Sequence, residues 1–453
     1  MTPRILAVLI ALAGIGNPAW AAAGDTLRLT LKEALSMAEK NNLSHRNTIT
    51  DIGLAQQKVK EVQSIGLPQV NAAASFNQYV RIPGSYIPNF TGQGPDFIFI
   101  AFQQKYAASA NIQASWLMYD GTYLLGLRAA KEFVQVSRLL AEKSETDLEQ
   151  NVTRAYALCL NTVKNLELID QNRRMLEKNL SDIKEIYAAG FAEKLDVDRL
   201  QLSLDNLSVQ REKLLTVVAM TQNMLKMAMG IAMDQPIVLT EDLETFEKSI
   251  LVDGNGDAAL QPSARIEHQL LNQTLRLSFY DEKRYKVGYT PTLVGFVTHQ
   301  RNTNRPEFNF LESNLPINNT WVPATIWGLN LSVPIFDGFR KQSQIRQVQL
   351  NRDKTLNQIQ EFERFAGMEY INARQSWVTA LQAVEVQRKN KDLAERIYEQ
   401  VNTKFREGVG STVEILSAET ELKNAQIQYL NALYELSLSK IDLKKALGQR
   451  INP

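Results

Sequence analysis

The sequence predicts a mixed α and β membrane protein written twice over: long strands that belong to a β-barrel shared between chains, and long helical rods standing in water. Three observations carry this. "YDGTYLLGLRAAKE" from Tyr119 and "FDGFRKQSQIRQVQ" from Phe336 repeat one corner, an aromatic residue followed by Asp and Gly, with Asp120 and Asp337 lying 217 positions apart (337 − 120). Behind each corner, 120–188 and 338–406 read as uninterrupted helix, 69 positions apiece. Ahead of each corner lie two segments of about ten residues with strand character, three of the four alternating apolar and polar side chains.

The rods come first in the argument. At 1.5 Å per residue each is roughly 100 Å long, about three bilayer cores. Beyond the N-terminal run no apolar stretch reaches the ~18 residues of a candidate membrane span, so the rods belong in water. Each is followed by a glycine turn and a return helix, 196–229 and 413–447. Gly190 and Gly408 are 218 positions apart, as are Leu225 of "LKMAMG" and Leu443 of "LKKALG". Shared composition makes long helices look alike, but it does not put turns and helix ends in one register.

A helix near 31–65 opens the first half at "LTLKEAL", where Thr30 and Glu33 form a capping box. With the return helix it matches the rod in length, so two short helices should stack end to end beside one long one. The second-half pair, 262–286 and 413–447, falls short of its rod.

The strands follow. Tyr106, Ala108, Ala110, Ile112, Ala114, Trp116 and Met118 share one face, opposite Ser109, Asn111, Gln113 and Ser115. Val70, Ala72, Ala74 and Phe76 oppose Asn71, Ser75 and Asn77, and Trp327, Leu329, Leu331, Val333 and Ile335 oppose Gly328, Asn330 and Ser332. The fourth segment, "TLVGFVTHQ", alternates poorly. Each is about long enough to cross a bilayer as a tilted strand. The connections "RIPGSYIPNFTGQGPDF" and "RNTNRPEFNFLESNLPINNT" carry the Pro, Gly and Asn of exposed loops. A sheet in lipid must close, and four strands cannot close alone. Two chains would make an eight-stranded barrel filled by its own side chains, whereas three make twelve strands with a lumen.

At the N-terminus, Arg4, the run "ILAVLIALAGIG" and small residues at Ala19, Ala21 and Ala23 form a cleavable signal peptide over 1–23, so the protein is exported. The expected division is then 24–233 for the first repeat, 234–262 for an acidic connecting segment and 263–453 for the second repeat. Asp234, Glu241, Asp242, Glu244, Glu247, Asp253 and Asp257 make the connecting segment acidic, as a solvated belt without a chemical role.

Other function classes fall away. A formal net charge of +1 from 50 basic and 49 acidic residues gives no footprint for nucleic acid. His45, His268, His299 and Cys159 have no metal-ligand spacing, and Cys159 sits in an apolar helical stretch as a small hydrophobe. Neither a phosphate loop nor a nucleophile elbow occurs, so neither a cofactor nor a catalytic residue is expected. A periplasmic coiled-coil adaptor is the alternative, but it would show one hairpin and a compact β module where this chain shows two hairpins and apolar-faced strands.

The signal peptide, the "LTLKEAL" opening, the paired corners and glycine turns and the closing "LKKALG" together resemble the TolC family of outer-membrane efflux proteins, over essentially all of 24–453. The resemblance implies a homotrimer: a twelve-stranded barrel in outer-membrane lipid, four strands per chain, continued by an α-helical barrel in the periplasm. It implies a passive exit duct that works with a periplasmic adaptor and an inner-membrane transporter. The turns Gly190, Phe191 and Ala192, and Gly408, Val409, Gly410 and Ser411, match the family's adaptor-docking tips. Asp196 and Glu414 match carboxylates that ring the periplasmic aperture. Phe405 stands where the family has a gating tyrosine, and Ser417 where a second acid can occur.

Overall fold

The computed structural model describes residues 26–90, 93–101, 103–249, 260–310 and 320–451. The signal segment 1–23, Asp253 and Asp257 lie outside the described residues.

A short strand β1 (Leu27–Leu29) leads into α1 (Leu31–Asn41), whose N-cap Thr30 makes the expected capping box with Glu33. The opening helix is not one helix. It breaks at Asn42, which caps α2 (Leu43–Ser64) by accepting from His45 N at 3.1 Å. Strand β2 (Gln69–Gln78) climbs to a hairpin, β3 (Ser85–Pro88) with β4 (Phe97–Ile100), in a stretch expected to be irregular loop. Strand β5 (Tyr106–Tyr119) returns to the first corner, and α3 (Gly121–Ala188) and α4 (Lys194–Met229) form the first long hairpin.

The segment expected to be a solvated belt holds β6 (Ile237–Leu239), which pairs in parallel with β1, and α5 (Leu243–Ser249). Four of its acids have partners. Glu241 accepts from the Tyr156 hydroxyl at 3.0 Å, Glu244 from Tyr429 at 2.9 Å, and Lys440 Nζ reaches the Glu247 carbonyl at 3.1 Å. Asp242 caps α5 through Thr245 N at 2.7 Å, which holds its carboxyl below the ordinary range. A belt expected to face water is instead pinned to the middle of the rods by its own carboxylates.

The second half repeats the plan with α6 (Ile266–Val287), β7 (Thr292–Arg305), β8 (Val322–Ser332), α7 (Arg340–Arg406) and α8 (Thr412–Leu447). The poorly alternating segment is a full strand of 14 residues, β7. The four long strands form one antiparallel sheet in the order β2-β5-β7-β8. Directly opposed residues share a face, so the register sorts the sheet into two surfaces. One carries Val70, Ile112, Trp116, Val297, Trp327 and Leu329; the other carries Asn71, Ser75, Asn111, Gln113, Gln300 and Asn302. Strands β2 and β8 have no further partner among the described residues.

The helices form columns. Near the sheet the order is α2, α3, α6, α7; toward the far end it is α4, α3, α8, α7. Columns α2/α4 and α6/α8 are therefore each two helices stacked end to end, of 22 and 36 residues in both halves, beside rods of 68 and 67. The shortfall expected only in the second half is the rule in both, because α1 leaves the column and packs on the middle of α3. The joints are built alike. A Cβ on Gly230, C-cap of α4 with φ 70°, would lie 2.7 Å from Asn41 O, and one on Gly448, C-cap of α8 with φ 69°, 3.2 Å from Arg265 Cγ. Left-handed glycine ends one helix where the next begins.

Two main apolar cores follow. One lies at mid-height, where α1 and α5 pack against α3 and α8 and Tyr156 is fully buried; burial and the Glu241 carboxylate hold the Tyr156 hydroxyl well above the usual phenol range. Cys159 belongs to this core, and burial pushes its thiol up to about 11. The other lies near the hairpin turns and includes Ile183, Leu200, Phe405 and Ile415.

The two corners share a motif but not a geometry. Asp120 caps α3 by accepting from Thr122 N at 2.7 Å, and Gly121 is required by packing, since a Cβ there would lie 2.0 Å from Val287 Cγ1. Gly338 has open space and is used for its backbone instead: Gly338 (φ 62°) and Phe339 (φ 65°) turn left-handed in succession, and α7 starts at Arg340. Asp337 still holds the new helix, accepting from Lys341 N at 3.2 Å.

Candidate functional site: the hairpin tips

At the first tip α3 ends in a glycine turn. Gly190 (φ 85°) donates to Tyr187 O at 2.9 Å and Phe191 N to Ile186 O at 3.0 Å, closing the helix before α4 starts at Lys194. At the second, Gly408 (φ 78°) donates to Phe405 O and Val409 N to Lys404 O, both at 3.1 Å. Gly410 is needed for another reason: a Cβ there would sit 2.8 Å from Phe405 N. Ser411 then caps α8, accepting from Glu414 N at 3.2 Å.

The tips present apolar side chains to solvent. Phe191 is 86% exposed and Val409 76%, with Leu195 and Val413 exposed one turn later. Large hydrophobes on a loop tip gain nothing in the free chain, so this is the pattern of a contact surface. Ala192 is half-buried, packed against the core beneath.

Asp196 and Glu414 both fall in the first turn of a return helix, where an acid favours the macrodipole. Asp196 is half-buried and accepts a long bond from Glu193 N at 3.4 Å; Glu414 is exposed. They lie on helices either side of α3, so one chain brings them to matching places without joining them. Arg406 Nε, at the end of α7, reaches Asp182 Oδ2 of α3 at 3.9 Å and ties the two tips side by side. Phe405 is 4% exposed within the lower core, and Ser417 is exposed.

Glu419 escaped the sequence reading. It is 7% exposed, its Oε2 has no hydrogen-bond partner, and burial pushes its carboxyl up to about 7. The signal was present: Glu419 lies four residues after Ile415 and three before Leu422, on the helix face those two bury. Elsewhere, Glu39, Glu145 and Glu149 approach closely enough to share a cation, but the Arg450 guanidinium faces Glu145 at 2.5 Å and Glu149 at 3.9 Å.

The fold has the architecture of an outer-membrane channel protomer, four long antiparallel strands above a long α-helical body. Comparison with known proteins agrees. The model of the outer membrane efflux protein family matches residues 269–449. Outer membrane protein TolC of Salmonella enteritidis is 21% identical over 435 residues, covering 92% of this chain and 82% of that one. The toluene efflux pump outer membrane protein TtgF of Pseudomonas putida is 21% identical over 422 residues, covering 92% and 83%. The crystal structure of the transmembrane channel CusC superposes with a TM-score of 0.72 at 15% identity over 92% of each chain. Over most of its length the chain is similar to outer-membrane channels of the TolC family.

Proposed function

We propose that three copies of this chain form a passive exit duct, docked by a periplasmic adaptor and fed by an inner-membrane transporter. The observation that carries the reading is that every lateral edge of the chain is unfinished. Strands β2 and β8 end the sheet with one side unpaired among the described residues, which lipid does not tolerate. The helical columns beneath end the same way. On one edge α4 exposes Leu195, Leu202, Val209, Met220, Met224 and Met227; on the other α7 exposes Leu350, Phe365, Met368, Ile371, Leu381 and Leu393. Joining one edge to the opposite edge of the next copy buries both stripes and pairs β8 with β2.

Three copies close twelve strands around a lumen lined by the Asn, Gln, Ser and Thr face, a surface that keeps water in the pore. Its control, in this reading, is mechanical. Glycine turns that join α3 to α4 in 24–233 and α7 to α8 in 263–453 let each hairpin lean as a unit. The aperture is set by how far the hairpins lean, with Asp196 and Glu414 near its level and Phe405 in the core beneath the tips. The exposed tips, Gly190 to Ala192 and Gly408 to Ser411, receive the adaptor.

The test is assembly. Detergent-extracted protein should sediment with outer membranes and have the protein mass of three chains. A folded monomer in the soluble periplasm would end the reading.

A further inference from the structure

The four long strands contain no Asp, Glu or Lys; their only charged side chains are Arg301 and Arg305, both on β7. A cation in the lumen would be freely hydrated, yet neither faces the lumen. Arg301 opposes Ala110 of β5 and Pro323 of β8, and Arg305 opposes Tyr106, all on the apolar surface that meets lipid. Cations on that surface are disfavoured and call for an explanation.

Arg305 has one within the chain. It is 1% exposed, lies 4.5 Å over the Phe310 ring, and its guanidinium meets Thr303 Oγ1, Asn309 O and Asn309 Oδ1. Phe76, Tyr106 and Phe308 join Phe310 in an aromatic cluster at this end of the sheet, the belt expected where the bilayer gives way to headgroups. Arg301 has none. It is exposed and makes neither ion pair nor hydrogen bond among the described residues.

Beside Arg301 lies an open groove of about 450 Å³ lined by Ala72, Ala74, Ala110, Ile112, His299 and Arg301. His299 Nδ1 is held by Thr325 Oγ1 at 2.9 Å, which fixes the ring and leaves Nε2 for another partner. Eight residues separate Leu293, near the tunnel end of β7, from Arg301; at ~3.4 Å per residue and a tilt of ~40° that is a height of about 20 Å, near the top of a roughly 25 Å apolar band.

We propose that this groove binds an anionic, phosphate-bearing lipid of the outer leaflet, its phosphate on Arg301 and His299 and an acyl chain along the alanine floor. Charge complementarity selects this occupant: a bidentate guanidinium and an imidazole, with no carboxylate anywhere on the sheet, suit phosphate, and the dry floor suits an acyl chain. The inference rests on the barrel reading and is independent of gating and docking. Such a lipid also supplies the counter-ion that β7 lacks.

The full-length channel, purified in detergent, is titrated with diphosphoryl lipid A and examined by native mass spectrometry. Wild type should retain lipid A. Arg301→Gln, and Ala110→Phe, which fills the groove, should each reduce retention by about fivefold or more, whereas Arg301→Lys keeps the charge but loses the bidentate fork and should fall between wild type and Arg301→Gln. Phosphatidylcholine should bind weakly, and millimolar inorganic phosphate should not displace lipid A. Equal retention by Arg301→Gln, equal binding of phosphatidylcholine, or displacement by inorganic phosphate each overturns the proposal. Trimer yield is read on the same samples, so a failure of assembly tells against the channel reading, and lipid loss from intact trimers reports on the groove alone.

Discussion

Asn42 donates from Nδ2 to the carbonyl of Ala228 at 3.0 Å while its Oδ1 accepts from His45 N at 3.1 Å, so one side chain both starts α2 and clasps the end of α4. The stacked column is held at its joint by a residue 186 positions from its partner. Asn42→Ala removes both bonds and should cost about 1–2 kcal/mol at the joint. Asn42→Ser keeps a capping hydroxyl and loses only the clasp, so it should cost less. Hydrogen exchange should localise the loss to the first turn of α2 and the last turn of α4; uniform protection in both variants would mean the joint is held by packing alone.

The tips give a second expectation. Gly190 and Gly408 have φ of 85° and 78°, and nothing lies within 4 Å of a Cβ at either position. The cost of Gly190→Val or Gly408→Val is therefore backbone strain of about 1–2 kcal/mol rather than a clash. Each variant should insert normally and export poorly. Cargo sensitivity is measured against the amount of trimer in the membrane, and full export by both variants would show that the tips are not a docking surface.

How much of this was legible in the sequence depends on how far away the deciding contact lies. The rod ends are local events, glycine turns and capping acids, and α3 and α7 run within a residue or two of the expected bounds. The break at Asn42 was hidden because it depends on the Ala228 carbonyl of another helix. The acidic segment misled for the same reason, since the partners of its carboxylates, Tyr156, Tyr429 and Lys440, lie on distant rods. Segment 292–300 of β7 alternates poorly because Gly295 and His299 occupy the apolar face while Val294 and Phe296 lie on the polar one. The tip glycines were readable; whether Asp196 and Glu414 act together was not, because a neighbouring copy must complete their surroundings.

Glu419 predicts a pH dependence. Its carboxyl is raised from 4.5 to about 7 by burial, opposed only by Lys423, with the Tyr398 hydroxyl nearby. A raised folded-state value means that the protonated form is favoured on folding. That contribution is fully present below about pH 4.5 and is lost as pH rises through about 7. Glu419→Gln stays neutral, so relative to wild type it should gain stability between pH 5 and 8, by roughly 1–3 kcal/mol per chain. Denaturant midpoints at the two pH values check this; a pH-independent difference would mean that Glu419 is hydrated in the assembled tunnel.

The aperture gives the last prediction. Asp196 and Glu414 begin equivalent helices one repeat apart, and Arg406 with Asp182 keeps the two tips side by side. Three copies around an axis would set both carboxylates of every chain near one narrow level. A ring of that kind attracts cations and repels anions. Wild-type channels in a planar bilayer should therefore prefer cations, and multivalent cations added from the tunnel side should block them. The double variant Asp196→Asn with Glu414→Gln should weaken both effects at nearly unchanged trimer yield, because each acid contributes only about 0.3–1 kcal/mol through its helix dipole. Glu414 is exposed and Asp196 half-buried, so a rival account makes them ordinary first-turn acids facing bulk water. Under that account selectivity and block survive the double substitution, and the aperture lies at some other level of the tunnel.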